Sequence, residues 1–494
     1  MMSSLRKQFV LLFLPILVQS GTVTYTVPSY APSKATALDP APLGISFEFF
    51  DFPSYFLNVT GTNQCLKNFK ELTGTWPPIR IGGTTQDRAT YDASSSAYVT
   101  YSVASPLDAP TSLTFGPRFM DLAATYSGTV VMGLNRGHDN IANTIAAAKA
   151  ANDKINNLLA IELGNEPEYY TSDKQPIALN AGTWTPATDA ASQDDWDIRV
   201  GSALHQELII QAGNSNDSPP KWGAAELIAT ENTTARSYVH DYAHHNYPGG
   251  TLTTLMSHSH IVSNLAVFKA EVAAAAKAGK EYVLGETNSV SGGGAATVSP
   301  LFGASLWTMD YLLHATVLGI KRVFYHHGTV GKCFYCFWGR ETMGAPYYGA
   351  YAATAALAGA SSVISLDIGN SSVGGYAVFD GDGNPMRVLL LNSVFYSGGG
   401  VRASQTFVLD GLRGEGVRAK RLTAPSANSR VDQGGNPSFG GQTFANGTCV
   451  IAGEEVWEKV DVLDGKGTFV VGASEALLVY LRDDNSGPKA LDDF

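Results

Sequence analysis

From Leu43 to His327, short β-branched or apolar runs alternate with long segments rich in Ala and Leu, a rhythm that predicts repeated βα units around a parallel sheet. Eight runs carry the strand signature: residues 44–49, 79–82, 129–134, 158–163, 222–225, 241–243, 282–285 and 322–325. Eight such strands close a barrel. The clearest helices between them span 141–157, 195–211, 261–277 and 304–318, where apolar residues recur every three or four positions. After Pro346 the pattern shifts to strand-like runs at 375–379, 386–391, 406–409 and 476–481, separated by Gly, Asn, Asp and Ser clusters, which predicts an antiparallel β-sandwich. The run 23–27 precedes the barrel and reads as an additional strand of that sandwich. The predicted fold is therefore a (β/α)8 TIM barrel over 41–345 and a C-terminal antiparallel β-sandwich over 346–494, with 21–40 as an N-terminal segment.

Composition adds a compartment. Residues 1–20 combine an early Arg6-Lys7 pair, an apolar run of about ten residues and a small-residue end at Val18-Gln19-Ser20, the three parts of a secretory signal. That run is too short to span a hydrocarbon core of about 30 Å. Glycosylation acceptor patterns begin at Asn58, Asn216, Asn232, Asn370 and Asn446, and together with the signal they point to a secreted, extracellular glycoprotein. Four cysteines, Cys65, Cys333, Cys336 and Cys449, fit one or two disulfides, with three pairings open when all four are used. The Cys333–Cys336 spacing also fits half a zinc site or a redox dithiol, although no second such pair is present. A net charge of −11 argues against nucleic acid or an anionic membrane as the main partner.

Functional groups of a barrel sit just past the C-terminal ends of its strands, where the βα loops open. Polar residues gather at those places: Glu48 after the first run, Gly82-Gly83-Thr84-Thr85-Gln86-Asp87 after the second and Gly164-Asn165-Glu166-Pro167 after the fourth. His244-His245-Asn246-Tyr247 follows the sixth run and Glu286-Thr287-Asn288 the seventh. Glycoside hydrolysis with retention needs one carboxyl group to protonate the leaving oxygen and another to attack the anomeric carbon, about 5–5.5 Å apart. Strands four and seven face each other across the barrel mouth, so Glu166 and Glu286 can flank one sugar. Taken singly, Glu166 before Pro167 also reads as a helix N-terminal carboxylate, and Glu286 as a surface residue. The apolar Tyr282-Val283-Leu284-Gly285 puts Glu286 on the barrel rim instead. His244, His245, His326 and His327 read as hydrogen-bonders at that rim, because the two-carboxyl mechanism requires no metal and no cofactor.

These residues resemble glycoside hydrolase family 79, the β-glucuronidases and heparanases. The resemblance runs through most of the mature chain. Its most specific segments are Pro78-Ile79-Arg80-Ile81-Gly82-Gly83-Thr84, Gly164-Asn165-Glu166-Pro167, His244-His245-Asn246-Tyr247, and Gly285-Glu286-Thr287-Asn288-Ser289 followed by Gly292-Gly293-Gly294. The resemblance implies Glu166 as general acid/base, Glu286 as nucleophile and Asn165 near the sugar 2-hydroxyl. It also implies that Glu48 and Thr84 contact sugar hydroxyls, that Tyr247 lines the subsite, and that Gly292, Gly293 and Tyr335 hold the uronic carboxylate. Backbone amides in a turn form a nest for an anion, so a net acidic protein can bind glucuronate without an arginine. Two departures stand out. Ser291 occupies a place where some members carry a tyrosine, and the segment 326–338 is longer and includes Cys333 and Cys336.

The function this implies is release of terminal β-linked glucuronic acid, with or without a 4-O-methyl group, from a glucuronate-containing glycan by double displacement. Internal, heparanase-like cleavage is the first rival, but no long basic run lies near the strand ends to grip a sulfated chain. A non-catalytic secreted carbohydrate-binding protein is the second. Arabinofuranosidase or glucosidase activity is a third, since Asn165-Glu166-Pro167 does not distinguish sugars.

Overall fold

The structure, a computed structural model, describes residues 21–171 and 173–482; the secretory signal expected at 1–20 lies outside the described residues. Eight strands hydrogen-bond edge to edge, all parallel, into a closed barrel: Leu43–Glu48, Ile79–Gly82, Val130–Leu134, Leu158–Leu163, Ile210–Ser215, Val239–Asn246, Glu281–Thr287 and Val323–His327. Helices cover the outer face, which is why Leu43–Glu48 and Val130–Leu134 are buried at every position.

One strand differs from the sequence reading. The fifth is Ile210–Ser215, and the run 222–225 instead leads into the helix Ala224–Thr230. The preceding helix, Pro186–Leu204, stops at His205, which caps it in a left-handed conformation (φ 53°). No glycine marks that end, and the apolar Leu208-Ile209-Ile210 continues the helical spacing into the strand. The sixth and seventh strands also run further than their apolar centres, so His244, His245, Asn246 and Glu286 lie within strands rather than beyond them. The expected helix at 261–277 is broken at 266–268 into His258–Leu265 and Lys269–Lys277.

Residues 346–357, inside the stretch expected to hold only strands, form the helix Pro346–Leu357. It packs on Phe302–Leu318, a helix buried along almost its entire surface. Gly349 makes that approach possible, because a Cβ there would lie 1.8 Å from the Ser305 carbonyl oxygen. The first amides of Phe302–Leu318 donate to carbonyls beyond the barrel, Phe302 to Ser429 and Gly303 to Ala427 at 2.9 Å each.

Two sheets then face each other. One has eight strands, with Val373–Phe379, Pro385–Asn392, Gly416–Thr423 and Glu475–Tyr480 as its long members. The other has three, Thr22–Thr26, Ser404–Asp410 and Lys466–Gly472. Tyr25, Phe379, Leu390, Phe407, Phe469 and Val479 fill the space between them. Every pair in these two sheets is antiparallel except Thr22–Thr26 with Ser404–Asp410, which is parallel, so the sandwich is not wholly antiparallel.

Two devices tie sandwich to barrel. Cys65, on the helix Thr62–Thr73, is disulfide-bonded to Cys449, and the second disulfide joins Cys333 to Cys336. The other device is a buried imidazole. His258 Nδ1 lies 2.8 Å from Asp310 on the barrel side, and its Nε2 lies 3.0 Å from Asp367 on the sandwich side. Asp310 also accepts from the Tyr376 hydroxyl at 2.5 Å, and Asp367 from the Gly375 amide at 2.8 Å. Burial disfavours the imidazolium, but Asp310 and Asp367 outweigh it and push His258 up to about 10.

His258→Gln therefore removes a charge shared by two buried carboxylates, and the expected cost is about 3 kcal/mol. A pKa raised by folding contributes fully below the unfolded value of about 6.5 and fades as the pH rises towards about 10. Denaturant unfolding should show the widest gap between wild type and variant near pH 6, narrowing towards pH 10; a gap that widens with pH would contradict the assignment.

Candidate active site

Arg80 stands at the floor of the barrel mouth, fully buried, between Ile79 and Ile81 of the second strand. All five of its N–H donors are used. Nε and Nη2 reach the two oxygens of Glu162 at 2.7 and 2.6 Å, and Nη2 also reaches Asn165 Oδ1 at 3.0 Å. Nη1 donates to Ser46 Oγ at 3.0 Å and to Glu286 Oε2 at 2.6 Å. Burial opposes the guanidinium charge, but Glu162 and Glu286 reverse that and hold Arg80 firmly protonated.

Glu286 has its other oxygen occupied as well, accepting from the Tyr247 hydroxyl at 2.5 Å. Burial alone would raise its carboxyl, yet His326, His245, Arg80 and the Tyr247 hydrogen bond hold it well below the usual carboxylate range. Glu286 is therefore ionised and aimed. His326, whose Nδ1 lies 2.9 Å from Ser46 Oγ and 3.5 Å from Glu286, is raised despite burial because Glu286 and Glu48 favour its charge.

Glu166 meets the opposite fate. Burial and the negative charge of Glu286 push its carboxyl up to about 8, against the smaller opposing pull of Arg80 and His326. Oxygens of Glu166 and Glu286, together with a His245 ring nitrogen, all lie within 4.8 Å of one another. Such a trio also resembles a cation site, but Arg80 already supplies the positive charge beside Glu286, and His245 Nδ1 is hydrogen-bonded to Glu166 Oε1 at 3.1 Å.

The turn carrying Glu166 is held from below. Asp87 accepts from the amides of Arg136, Gly137 and Asn165 at 2.9, 3.0 and 2.7 Å and from the Tyr170 hydroxyl at 2.5 Å. Glu166 itself adopts a left-handed conformation (φ 50°, ψ 60°), uncommon for a side-chain-bearing residue and costing on the order of 1–3 kcal/mol. Asp87 and the Glu166 amide bond to Asn214 O at 2.9 Å keep it there.

Above these groups opens a pocket of ≈ 450 Å³. Of the residues singled out from the sequence, Glu48, Thr84, Glu166, Tyr247, Glu286, Gly292, Gly293 and Tyr335 line it. Asn165 does not; it is buried just beneath, between Arg80 and Asp87. Gly292, Gly293 and Gly294 have φ of 67°, 90° and 90°, a succession that only glycine adopts freely. The Phe334 amide donates to Gly293 O at 2.7 Å, and the Tyr335 hydroxyl meets the Gly293 amide and Tyr247. The disulfide-closed loop and the glycine run are thereby clasped together.

The four histidines are buried hydrogen-bonders, and His326 also lines the pocket at the barrel mouth. His244 contacts Ser215 Oγ and Asp217 O, and His327 Nε2 accepts from the Phe337 amide at 3.1 Å. Arg80, Asp87, Thr85, Tyr169, Asn216 and Lys332 had not been singled out as site residues. Arg80 was findable, since an arginine between two isoleucines of a barrel strand has nowhere to go but the interior. Tyr169 ends the short 3-10 helix Pro167–Tyr169, Asn216 and Lys332 lie on loops, and no local pattern marks any of the three as a pocket residue.

Residues 375–478 match the glycosyl hydrolase family 79 C-terminal beta domain. A β-glucuronidase of Aspergillus niger is 30% identical over 398 residues, 72% of each chain. A β-glucuronidase of Neurospora crassa is 30% identical over 394 residues, 68% of this chain and 66% of that one. Among solved structures, a 4-O-α-L-rhamnosyl-β-D-glucuronidase from Fusarium oxysporum, in its Rha-GlcA complex, is 51% identical with a TM-score of 0.91, covering 93% of this chain and all of that one (100%). A family 51 arabinofuranosidase from Xanthomonas axonopodis pv. citri, 14% identical with a TM-score of 0.62 over 93% of this chain and 99% of that one, shares the fold.

Arg80→Gln leaves the Glu162 and Glu286 carboxylates buried without their counter-charge, and should lower unfolding free energy by about 3–5 kcal/mol at pH 7. A carboxyl depressed by folding contributes above the unfolded value of about 4.3 and loses that contribution as the pH falls. Urea titrations of both proteins should therefore converge on acidification; a deficit independent of pH would mean that packing, not charge, accounts for the loss.

Proposed function

The chain belongs to glycoside hydrolase family 79, and from that membership we propose that it is a retaining β-glucuronidase acting on glucuronate-containing glycans. The observation that carries the stereochemistry is the approach of the Glu166 and Glu286 oxygens to within 4.8 Å. Retaining enzymes place their carboxyl groups about 5–5.5 Å apart, whereas inverting enzymes need about 6.5–9.5 Å to admit a water.

In this mechanism Glu286 attacks the anomeric carbon as the bond to the leaving oxygen breaks, and protonated Glu166 gives its proton to that oxygen. A water, losing its proton to Glu166, then attacks the glycosyl-enzyme, frees Glu286 and releases glucuronate in the β configuration. Asn165, buried just beneath the pocket with its Oδ1 engaged by Arg80 and its backbone amide by Asp87, supports the turn that carries Glu166. Glu48 and Thr84 face the other hydroxyls. The amides of Gly292 and Gly293 with the Tyr335 hydroxyl hold the uronate carboxylate, and Tyr247 walls the subsite while fixing Glu286.

The 51% identity to a 4-O-α-L-rhamnosyl-β-D-glucuronidase favours a second reading of the unit released, in which the glucuronate carries a sugar on O4. Secretion is supported by the N-terminal pattern and by the two disulfides, which suit an oxidising compartment. Among the described residues no helix is long and apolar enough to cross a membrane.

Glu166→Gln and Glu286→Gln should each lower kcat/KM on p-nitrophenyl β-glucuronide by about a thousandfold or more while folding persists. Wild-type activity should fall as the pH rises through about 8, where Glu166 loses the proton it must donate. Proton NMR should show the β-anomer of glucuronate first; early α-anomer would contradict double displacement.

A further inference from the structure

We propose that a second, larger cleft beside the glucuronate pocket is the subsite for a neutral sugar carried on O4 of that glucuronate, with Leu107 and Phe334 as its apolar platform. The proposal rests on the glucuronidase reading above. The cleft encloses ≈ 790 Å³ and shares Leu107 and Lys332 with the glucuronate pocket, so the two lie side by side.

Its position decides which end of the substrate it receives. The proton donor Glu166 stands with Tyr169 and Asn216 on the side of the mouth built from strands four and five, and the leaving group must depart past its proton donor. Among the described residues, none lining the larger cleft comes from the loops after strands four, five or six; its walls come from the loops after strands one, two, seven and eight and from residues 430–432. It therefore takes the glycone side. On a glucuronate ring O4 is adjacent to C5, which bears the carboxylate, and the carboxylate-holding glycines border the cleft: a Cβ on Gly293 would lie 2.9 Å from the Lys332 carbonyl. A group on O4 is the one directed there.

The lining identifies the occupant's chemistry. Three basic side chains, Lys332, Arg340 and Arg430, balance three acidic ones, Asp108, Glu341 and Asp432, so the cleft presents no net charge to an acidic sugar. Leu107, shared by both pockets, and Phe334, inside the larger cleft, are 44% and 43% exposed, two large apolar side chains left open to solvent. A sugar with an apolar face covers them. Phe334 is not free to drift, because its amide is bonded to Gly293 O and the Cys333–Cys336 disulfide closes its loop. The same short loop turns Tyr335 inward to the glucuronate pocket and lends Phe334 to the cleft, so one disulfide sets the spacing of two subsites.

The test compares p-nitrophenyl β-glucuronide with the same compound bearing α-L-rhamnose on O4, using wild type, Phe334→Ala and Leu107→Ala. Wild type should prefer the capped substrate in kcat/KM by about tenfold or more and release rhamnosyl-glucuronate intact, and each variant should cut the capped-to-uncapped ratio by about fivefold or more, chiefly through KM. Should the variants fold poorly, calorimetry on Glu286→Gln should show rhamnosyl-glucuronate binding at least about tenfold tighter than glucuronate. An unchanged ratio in both variants, equal affinity for the two acids, or refusal of the capped substrate by an enzyme that hydrolyses the uncapped one overturns the subsite and leaves the glucuronidase reading intact. Hydrolysis of neither overturns both.

Discussion

Arg80 holds a full positive charge where water does not reach, and the acidic groups at the barrel mouth are organised around it. Glu162 takes two of its donors and anchors it to the fourth strand; Glu286 takes a third from the seventh; Asn165 and Ser46 take the last two. That charge sits between two buried carboxylates, bonded to each at 2.7 Å or less. With it, Glu286 stays ionised while Glu166, further from the guanidinium and beside Glu286, keeps its proton until about pH 8. The division of labour between two chemically identical side chains thus follows from their surroundings: Glu286 lies among His326, His245, Arg80 and the Tyr247 hydroxyl, whereas Glu166 is buried beside the charge of Glu286.

Geometry is enforced by a further set of contacts around the two glutamates. Asp87 gathers three backbone amides and the Tyr170 hydroxyl beneath Asn165, fixing the turn that holds Glu166 in a left-handed conformation. Tyr247 restrains Glu286 from the other side. Gly83 belongs to the same set, since a Cβ at its φ of 102° would lie 2.8 Å from the Glu48 carboxylate. The sandwich contributes at a distance, through His258, the Cys65–Cys449 disulfide and carbonyls that cap the helix Phe302–Leu318.

Much of this was legible in the chain, for physical reasons that can be named. Strands one, two, four and seven announce themselves because parallel barrel strands are buried on both faces and read as apolar runs. The residues just past or at their ends, Glu48, Thr84, Glu166 and Glu286, could be picked out because that edge is where a barrel opens. Strand five was misplaced because Leu208-Ile209-Ile210 extends a helical spacing across a turn that no glycine or proline marks. Pro346–Leu357 was missed as a helix because a segment buried on all sides loses the polar face that gives helices their period. The disulfide partners, the clasp between Phe334 and Gly293 and the larger cleft depend on segments remote in sequence, and no local pattern encodes them.

Trapping the glycosyl-enzyme tests the central claim, that the ionised Glu286 is the nucleophile and Glu166 carries the proton. A 2-deoxy-2-fluoro-β-glucuronide with a good leaving group slows the second step more than the first, and proteolysis with mass spectrometry then locates the label. A single glucuronyl adduct on Glu286 is the predicted result. An adduct on Glu166, or hydrolysis with no adduct and inverted product, would contradict it.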